Sequence, residues 1–382
     1  MSSSTRVLFQ LQLILCFLLY LHARPAICFA ILTNCKIDKI YQLGDSLSDT
    51  GNRIVEDPLD ACGSLPYGQN FPRGPTGRCS DGMLMIDHFA LAAGIPFLNP
   101  YLKGNANFTH GVNFAVGGST ALSEYALAEK DIMLLGTSST LGIQLDWMST
   151  FFASQCNTHI NRLCPGNFKH ALFMVGETGG NDYNFALAQG KSIEEAKTLV
   201  PEVVEIIRDA VRRVIDLGAS RIIVPGNFPI GCFPMTLIMF KSDSKSAYDE
   251  HRCLKDFNDL AAFHNQYLQQ AIITLQEENP GTTIVYGDYY NAFNWLLYNA
   301  PYLGIDAKSA LEPCCGNGGI DSESSPTSGG CGSLNAQVCL YPDRYISWDG
   351  IHLTRKAYSV LSKWLLADIT PKLNCALQVV DH

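Results

Sequence analysis

Three residue types, a serine near one end of the chain and an acid–histidine pair near the other, could together carry acyl-transfer chemistry. Ser46 lies in the run Tyr41-Gln42-Leu43-Gly44-Asp45-Ser46-Leu47-Ser48-Asp49, and Asp349 precedes His352 by three residues in Trp348-Asp349-Gly350-Ile351-His352. A serine hydroxyl is a poor nucleophile until a base takes its proton. The base in turn needs an acid to fix its tautomer and stabilise its cation. The chain supplies all three, and hydrolysis of an ester is the leading reading. Two further segments offer donors for a developing oxyanion. Asn113-Phe114-Ala115-Val116-Gly117-Gly118-Ser119-Thr120 has paired glycines that leave an amide open at Gly118, and Gly176-Glu177-Thr178-Gly179-Gly180-Asn181-Asp182-Tyr183 sets Asn181 in a glycine turn. A backbone amide and a side-chain amide are the donor types an oxyanion hole uses. Taken singly, each has a plainer explanation: Ser46 as a helix N-cap, the Asp-x-x-His pair as chance spacing, Gly118 and Asn181 as turn residues.

Such groups must be brought together by loops on one edge of a scaffold. Ile37, Ile40, Tyr41 and Leu43 predict a short buried strand that Gly44 ends. Apolar runs at Ala171–Val175, Arg221–Pro225 and 283–286 predict three more. A long amphipathic stretch over 192–217 predicts a core helix, with Val200, Val203, Val204, Ile207, Val211 and Val214 on its stripe, Pro201 as a point of kink or division, and Gly218 as its C-cap. Further helices are expected over 254–275, Tyr289–Asn299 and 353–367. Apolar strands alternating with helices predict an α/β fold with a parallel sheet covered on both faces. In such sheets function collects beyond the carboxyl ends of the strands. Gly44-Asp45-Ser46, the segment from Gly176 onward and Gly226-Asn227-Phe228 are then expected on one rim.

The first thirty residues are expected to be a secretory signal: Arg6 supplies a positive start, residues 7–21 an apolar run, and Cys28-Phe29-Ala30 a small-residue cleavage site. Residues 31–382 are then expected to form one domain. Without the leader the formal charge moves from −9 to about −11. An acidic chain without basic runs is expected to have no nucleic-acid partner, and no other apolar run suggests a membrane anchor. Charged residues make up only 16% of the chain, so solubility is expected to lean on a glycan at the one sequon, Asn107-Phe108-Thr109. Of 14 cysteines, Cys16 and Cys28 fall in the leader, and the remaining even number is expected to form disulfides in an oxidising compartment. Cys156 and Cys164 could close a small loop, while Cys314, Cys315, Cys331 and Cys339 form a second cluster. A zinc site is the alternative, disfavoured by the adjacent cysteines.

The blocks Gly44-Asp45-Ser46-Leu47, Gly118, Gly179-Gly180-Asn181-Asp182 and Asp349-x-x-His352 stand in the order of the four blocks of the SGNH hydrolase superfamily. More narrowly, the chain resembles the plant GDSL esterase/lipase family. Phe71-Pro72, Gly74 to Gly82, Pro225 to Cys232 and Cys314-Cys315-Gly316 carry that likeness, which covers roughly residues 35–375. It is most similar to the branch with acetylajmalan esterase and sinapine esterases.

The resemblance implies a three-layer α/β/α flavodoxin-like sandwich with a parallel central sheet. It implies Ser46 as nucleophile, His352 as general base and Asp349 as its orienting acid. The Ser46 amide, the Gly118 amide and the Asn181 side chain would form the oxyanion hole. No metal or cofactor is implied, and the partner is a small-molecule ester met by a monomer. The expected protein is a secreted serine esterase, extracellular or vacuolar, acting on short-acyl (acetyl) esters of a plant specialised metabolite. An acyltransferase using the same acyl-enzyme, a hydrolase of sinapate-type or long-chain esters, and an inactive binding protein are the alternatives. One departure from the family pattern follows Gly318-Gly319, where Ile320-Asp321-Ser322 replaces the usual Pro-Tyr-Asn.

Overall fold

A computed structural model describes residues 32–156, 168–316, 330–334 and 336–375. The expected leader, Cys164 and the 318–322 departure lie outside the described residues.

Five strands form one sheet: β1 (Lys39–Leu43), β2 (Gly111–Asn113), β3 (Ala171–Val175), β4 (Arg221–Pro225) and β5 (Thr283–Gly287). Their order is β2-β1-β3-β4-β5, and every pairing is parallel. Register sets apolar residue against apolar residue: Tyr41 lies opposite Val112 and Phe173, Leu43 opposite Val175, and Ile223 opposite Val285. All five residues of β3 are buried, as a central strand covered on both faces must be.

The helices make two contiguous layers. Helices α1 (Met85–Ala93), α6 (Tyr289–Asn299) and α7 (Arg355–Ile369) pack together on one side. On the other are α2 (Leu141–Cys156), α4 (Val200–Asp216) and α5 (Lys255–Glu278). The short helix α3 (Gly180–Ala188) follows β3. The result is a three-layer α/β/α sandwich with the strand order of a flavodoxin-like sheet.

The 192–217 stretch is divided, and Pro201 is the reason. A one-and-a-half-turn helix begins at Ser192, whose hydroxyl and Glu195 cap each other's amides. It ends at Leu199, and α4 restarts with Pro201 in its first turn, where a missing N–H costs nothing. The apolar stripe Val200, Val203, Val204, Ile207, Val211 and Val214 is buried as predicted. Three elements carry weak or absent signals: α1, α2 and β2. Strand β2 has three residues, two of them Gly and Asn, and is recruited by pairing with β1 rather than by its own propensity.

Ten cysteines are paired among the described residues: Cys35–Cys375, Cys62–Cys79, Cys232–Cys253, Cys314–Cys339 and Cys315–Cys331. The disulfide expectation therefore holds for these ten. Three of the bridges enclose Tyr67 and Trp348 in a small apolar cluster of their own.

Candidate active site

Gly44 closes β1 with φ +155°, and a side chain there would collide with Ser48 Oγ and the Glu177 backbone. The chain then turns so that Ser46 is half-buried at the carboxyl end of the sheet. Gln144 from α2 clamps this turn, accepting from the Gly44 N–H and donating to its carbonyl, both at 2.8 Å. Asp49 ties it to the next block. Its carboxylate accepts the N–H groups of Gly51, Asn52, Arg53 and Gly117 at 2.6–2.9 Å.

That last bond places the glycine pair against the serine, and a Cβ on Gly117 would lie 3.6 Å from Ser46 Cβ. Gly118 has φ +82° and sits on the backbone of Gly136, 2.8 Å from where its own Cβ would be. Only glycine fits there. Among the described residues no protein group accepts from the amides of Ser46 or Gly118. Asn181, in the first turn of α3, donates one amide hydrogen to the Ser119 carbonyl at 2.9 Å, which leaves its second for a ligand. Asp182 beside it accepts from Ala121 and Leu122 N–H at 2.9 and 2.8 Å, lashing the Gly118 and Asn181 blocks together.

His352 reaches the serine from the loop before α7. Its Nε2 lies 2.8 Å from Ser46 Oγ, and its Nδ1 lies 2.6 Å from Asp349 Oδ2. A carboxylate only accepts, so Nδ1 carries the proton and Nε2 offers its lone pair to the serine hydroxyl. Burial would pull the imidazole down, but the Asp349 charge and hydrogen bond, with Asp45 and Asp60, outweigh it and move it up. Burial would raise Asp349, yet His352 and the N–H donors of His352 and Ile351 bring it below the usual carboxylate value. Burial, reinforced by the charge of Glu177, pushes Asp45 up to about 8. This arrangement can deprotonate Ser46 at neutral pH and hold a cation on His352 while an anion forms opposite.

Three loops line one cleft: Asp45, Ser46 and Leu47 after β1, Glu177, Gly180 and Asn181 after β3, and Gly226, Asn227 and Phe228 after β4. Ile230, Phe233 and Ile351 complete its apolar wall, and its free volume is ≈ 40 Å³. The structure thus brings Ser46, Asp349 and His352 into one hydrogen-bonded chain, with Asn181 lining the same cleft as Ser46 and Gly117, the neighbour of Gly118, packed against Ser46. Asn107 is exposed, far along the chain on the loop before β2.

Sequence reasoning missed Tyr67, Asp49 and Gln144. Asp49 closes the very run that contains Ser46, where an Asx-type cap could have been suspected. Tyr67 donates its hydroxyl to Asp349 Oδ2 at 2.8 Å, and nothing in its local sequence signals that.

The GDSL-like Lipase/Acylhydrolase family model matches residues 40–365. The chain is 42% identical to acetylajmalan esterase 1 of Rauvolfia serpentina over 91% of its own length and 90% of that protein. It is 40% identical to a GDSL esterase/lipase of Arabidopsis thaliana, over 87% of its length and 91% of the relative's.

Proposed function

The chain belongs to the GDSL-like lipase/acylhydrolase family of carboxylic ester hydrolases, and from that premise we propose that it is a serine esterase for short acyl esters, acting through an acyl-enzyme on Ser46. The observation that carries this is the unbroken chain from Asp349 through His352 to Ser46 Oγ, at 2.6 and 2.8 Å, facing a small cleft.

In the first step Ser46 Oγ attacks the ester carbonyl and passes its proton to His352 Nε2. The tetrahedral oxyanion is held by the Ser46 and Gly118 amides and the spare Asn181 hydrogen. His352 then gives its proton to the leaving alcohol, and the C–O bond of the ester breaks. Water, deprotonated by the same imidazole, attacks the acyl-serine and frees the acid. Asp349 stays ionised throughout and steadies the imidazolium.

The cleft beside Ser46 is narrow, walled by Phe228, Ile230, Phe233 and Ile351, which suits a small acyl group, whereas a fatty acyl chain would have to run out through its open side. Acetylajmalan esterases among the relatives point the same way. We assign the alcohol to a plant specialised metabolite and the protein to the secretory pathway, outside the cell or in the vacuole. Five disulfides suit an oxidising compartment, and the exposed Asn107 suits a glycan.

The test is hydrolysis of 4-nitrophenyl esters from acetate to palmitate by oxidatively folded protein, with Ser46→Ala as control. Turnover highest on acetate and lost in Ser46→Ala is expected. Turnover rising toward palmitate would overturn the short-acyl assignment, and undiminished turnover in Ser46→Ala would overturn the serine mechanism.

A further inference from the structure

Asp349 has four acceptor positions, two on each carboxylate oxygen. Oδ1 takes the backbone N–H groups of Ile351 and His352 at 3.0 and 2.7 Å. Oδ2 takes the imidazole Nδ1–H at 2.6 Å and, as its second bond, the hydroxyl of Tyr67 at 2.8 Å. Tyr67 comes from a loop 282 residues earlier in the chain.

We propose that Tyr67 is a positioning residue for the Asp349–His352 pair: its hydroxyl fills the last acceptor site of the carboxylate and holds it in line with the imidazole. The proposal rests on the esterase reading above and adds a residue to it.

The surroundings are built to hold that hydroxyl still. The Tyr67 ring is buried and meets the fully buried Trp348 ring edge-on at 6.2 Å, and Trp348 is the residue before Asp349. The loop carrying Tyr67 is closed by Cys62–Cys79, and its backbone is pinned by Tyr67 N–H to Ser64 and Gly68 N–H to Ser80. On the far side, Cys314 and Cys315 donate their N–H groups to the carbonyls of Ser347 and Trp348. Two disulfides anchor those cysteines. Donor and acceptor are thus each fixed to a cross-linked frame, and the two frames meet at the Tyr67–Asp349 bond. Burial, and next the Asp349 charge, push the phenol well above its ordinary value, so it remains a donor at every working pH.

Without that donor Oδ2 would lean wholly on the imidazole, with only the two backbone amides on Oδ1 left to share the charge. His352 would then keep its proton to higher pH in the free enzyme, and its ring would be less well aimed at Ser46.

Tyr67→Phe keeps the ring against Trp348 and removes only the hydroxyl. Expected is a fall in kcat of about tenfold, the usual scale for a hydrogen bond to a charged group, with KM nearly unchanged. The acidic limb of the kcat/KM profile should move to higher pH. Replacing Tyr67 by 3-fluorotyrosine, a stronger donor of nearly the same shape, should move the limb the other way. That second variant decides the matter even if Tyr67→Phe folds poorly. A role in packing alone would lower Tm and the fraction of sites titrated by a fluorophosphonate while leaving both limbs in place. That result overturns the proposal. Ser46→Ala separates the two readings. If it still turns over ester, the esterase mechanism fails. If it is inactive and both Tyr67 variants keep the parent's profile, only the role of Tyr67 fails.

Discussion

Asp349 engages His352 through both of its oxygens: Oδ1 accepts the histidine's own backbone N–H at 2.7 Å, and Oδ2 accepts its ring Nδ1–H at 2.6 Å. Three residues of separation let one side chain fix both the turn of the loop and the angle of the ring. The acid is therefore part of the local fold of the base, and the pair arrives at Ser46 as a single rigid piece. This differs from sites in which the acid and the base come from separate loops.

Removing members of this chain should cost very different amounts. Ser46→Ala is expected to lower kcat by about 10⁴–10⁶-fold, and Asp349→Asn by about 10⁴-fold, because the amide stabilises the wrong tautomer. Fluorophosphonate labelling followed by mass analysis checks the assignment. The adduct should map to Ser46 and be absent from Ser46→Ala, and an adduct on that variant would exclude Ser46 as nucleophile.

Asn181→Ala should lower kcat by about 100–1,000-fold with little change in KM, as expected for a donor that matters most to the oxyanion. Stability should fall by only about 1 kcal/mol, since its single protein bond is to the Ser119 carbonyl. Steady-state kinetics beside a thermal melt checks both halves.

Activity should be lost in acid through protonation of His352. The charge and hydrogen bond of Asp349 raise this imidazole against the pull of burial. The acidic limb of kcat/KM should accordingly fall at a pH above the ordinary imidazole value of ~6.5. A limb at or below that value would show that burial wins.

Stability should follow the opposite course with pH. Asp45 is pushed up to about 8 by burial and by Glu177, so between its unfolded value near 4 and about 8 the folded protein holds a proton that the unfolded chain has lost. Folding takes up that proton, and stability declines as pH rises through this window. Asp45→Asn should flatten the decline in Tm between about pH 5 and pH 8. An unaltered slope would mean that Asp45 is ionised in the fold.

The Cys62–Cys79 bridge should matter more than its size suggests. Closing a 17-residue span stabilises by about 3 kcal/mol on chain-entropy grounds. Cys62→Ser/Cys79→Ser should lose about that in a denaturant titration. It should also lose turnover at temperatures where it remains folded, because the loop holding Tyr67 is released. Full turnover in the folded double variant would uncouple the bridge from the site.

Much of the scaffold was legible because its signals are local. Strands β3 and β4 and helix α6 match the predicted bounds residue for residue, since continuous apolar runs ended by Gly, and a clear helical stripe, need no partner to be recognised. The point at which Pro201 divides the 192–217 stretch follows likewise from its missing N–H. Strand β2 was not legible, because three residues with a glycine have no preference until β1 offers them hydrogen bonds.

By itself the sequence determined the residue types able to do acyl chemistry, their order along the chain and the sheet-and-helix alternation that could collect them. Only the tertiary structure decided the distances: Ser46 to His352 across 306 residues, Tyr67 to Asp349 across 282, and which cysteine meets which. Periodicity and caps depend on neighbours within a few residues and are written in any short window. Contacts between remote loops depend on how the whole core packs, and the entropy of closing such long spans is met only by that packing. A tyrosine in a loop looks the same whether it faces water or the carboxylate that orients a catalytic base.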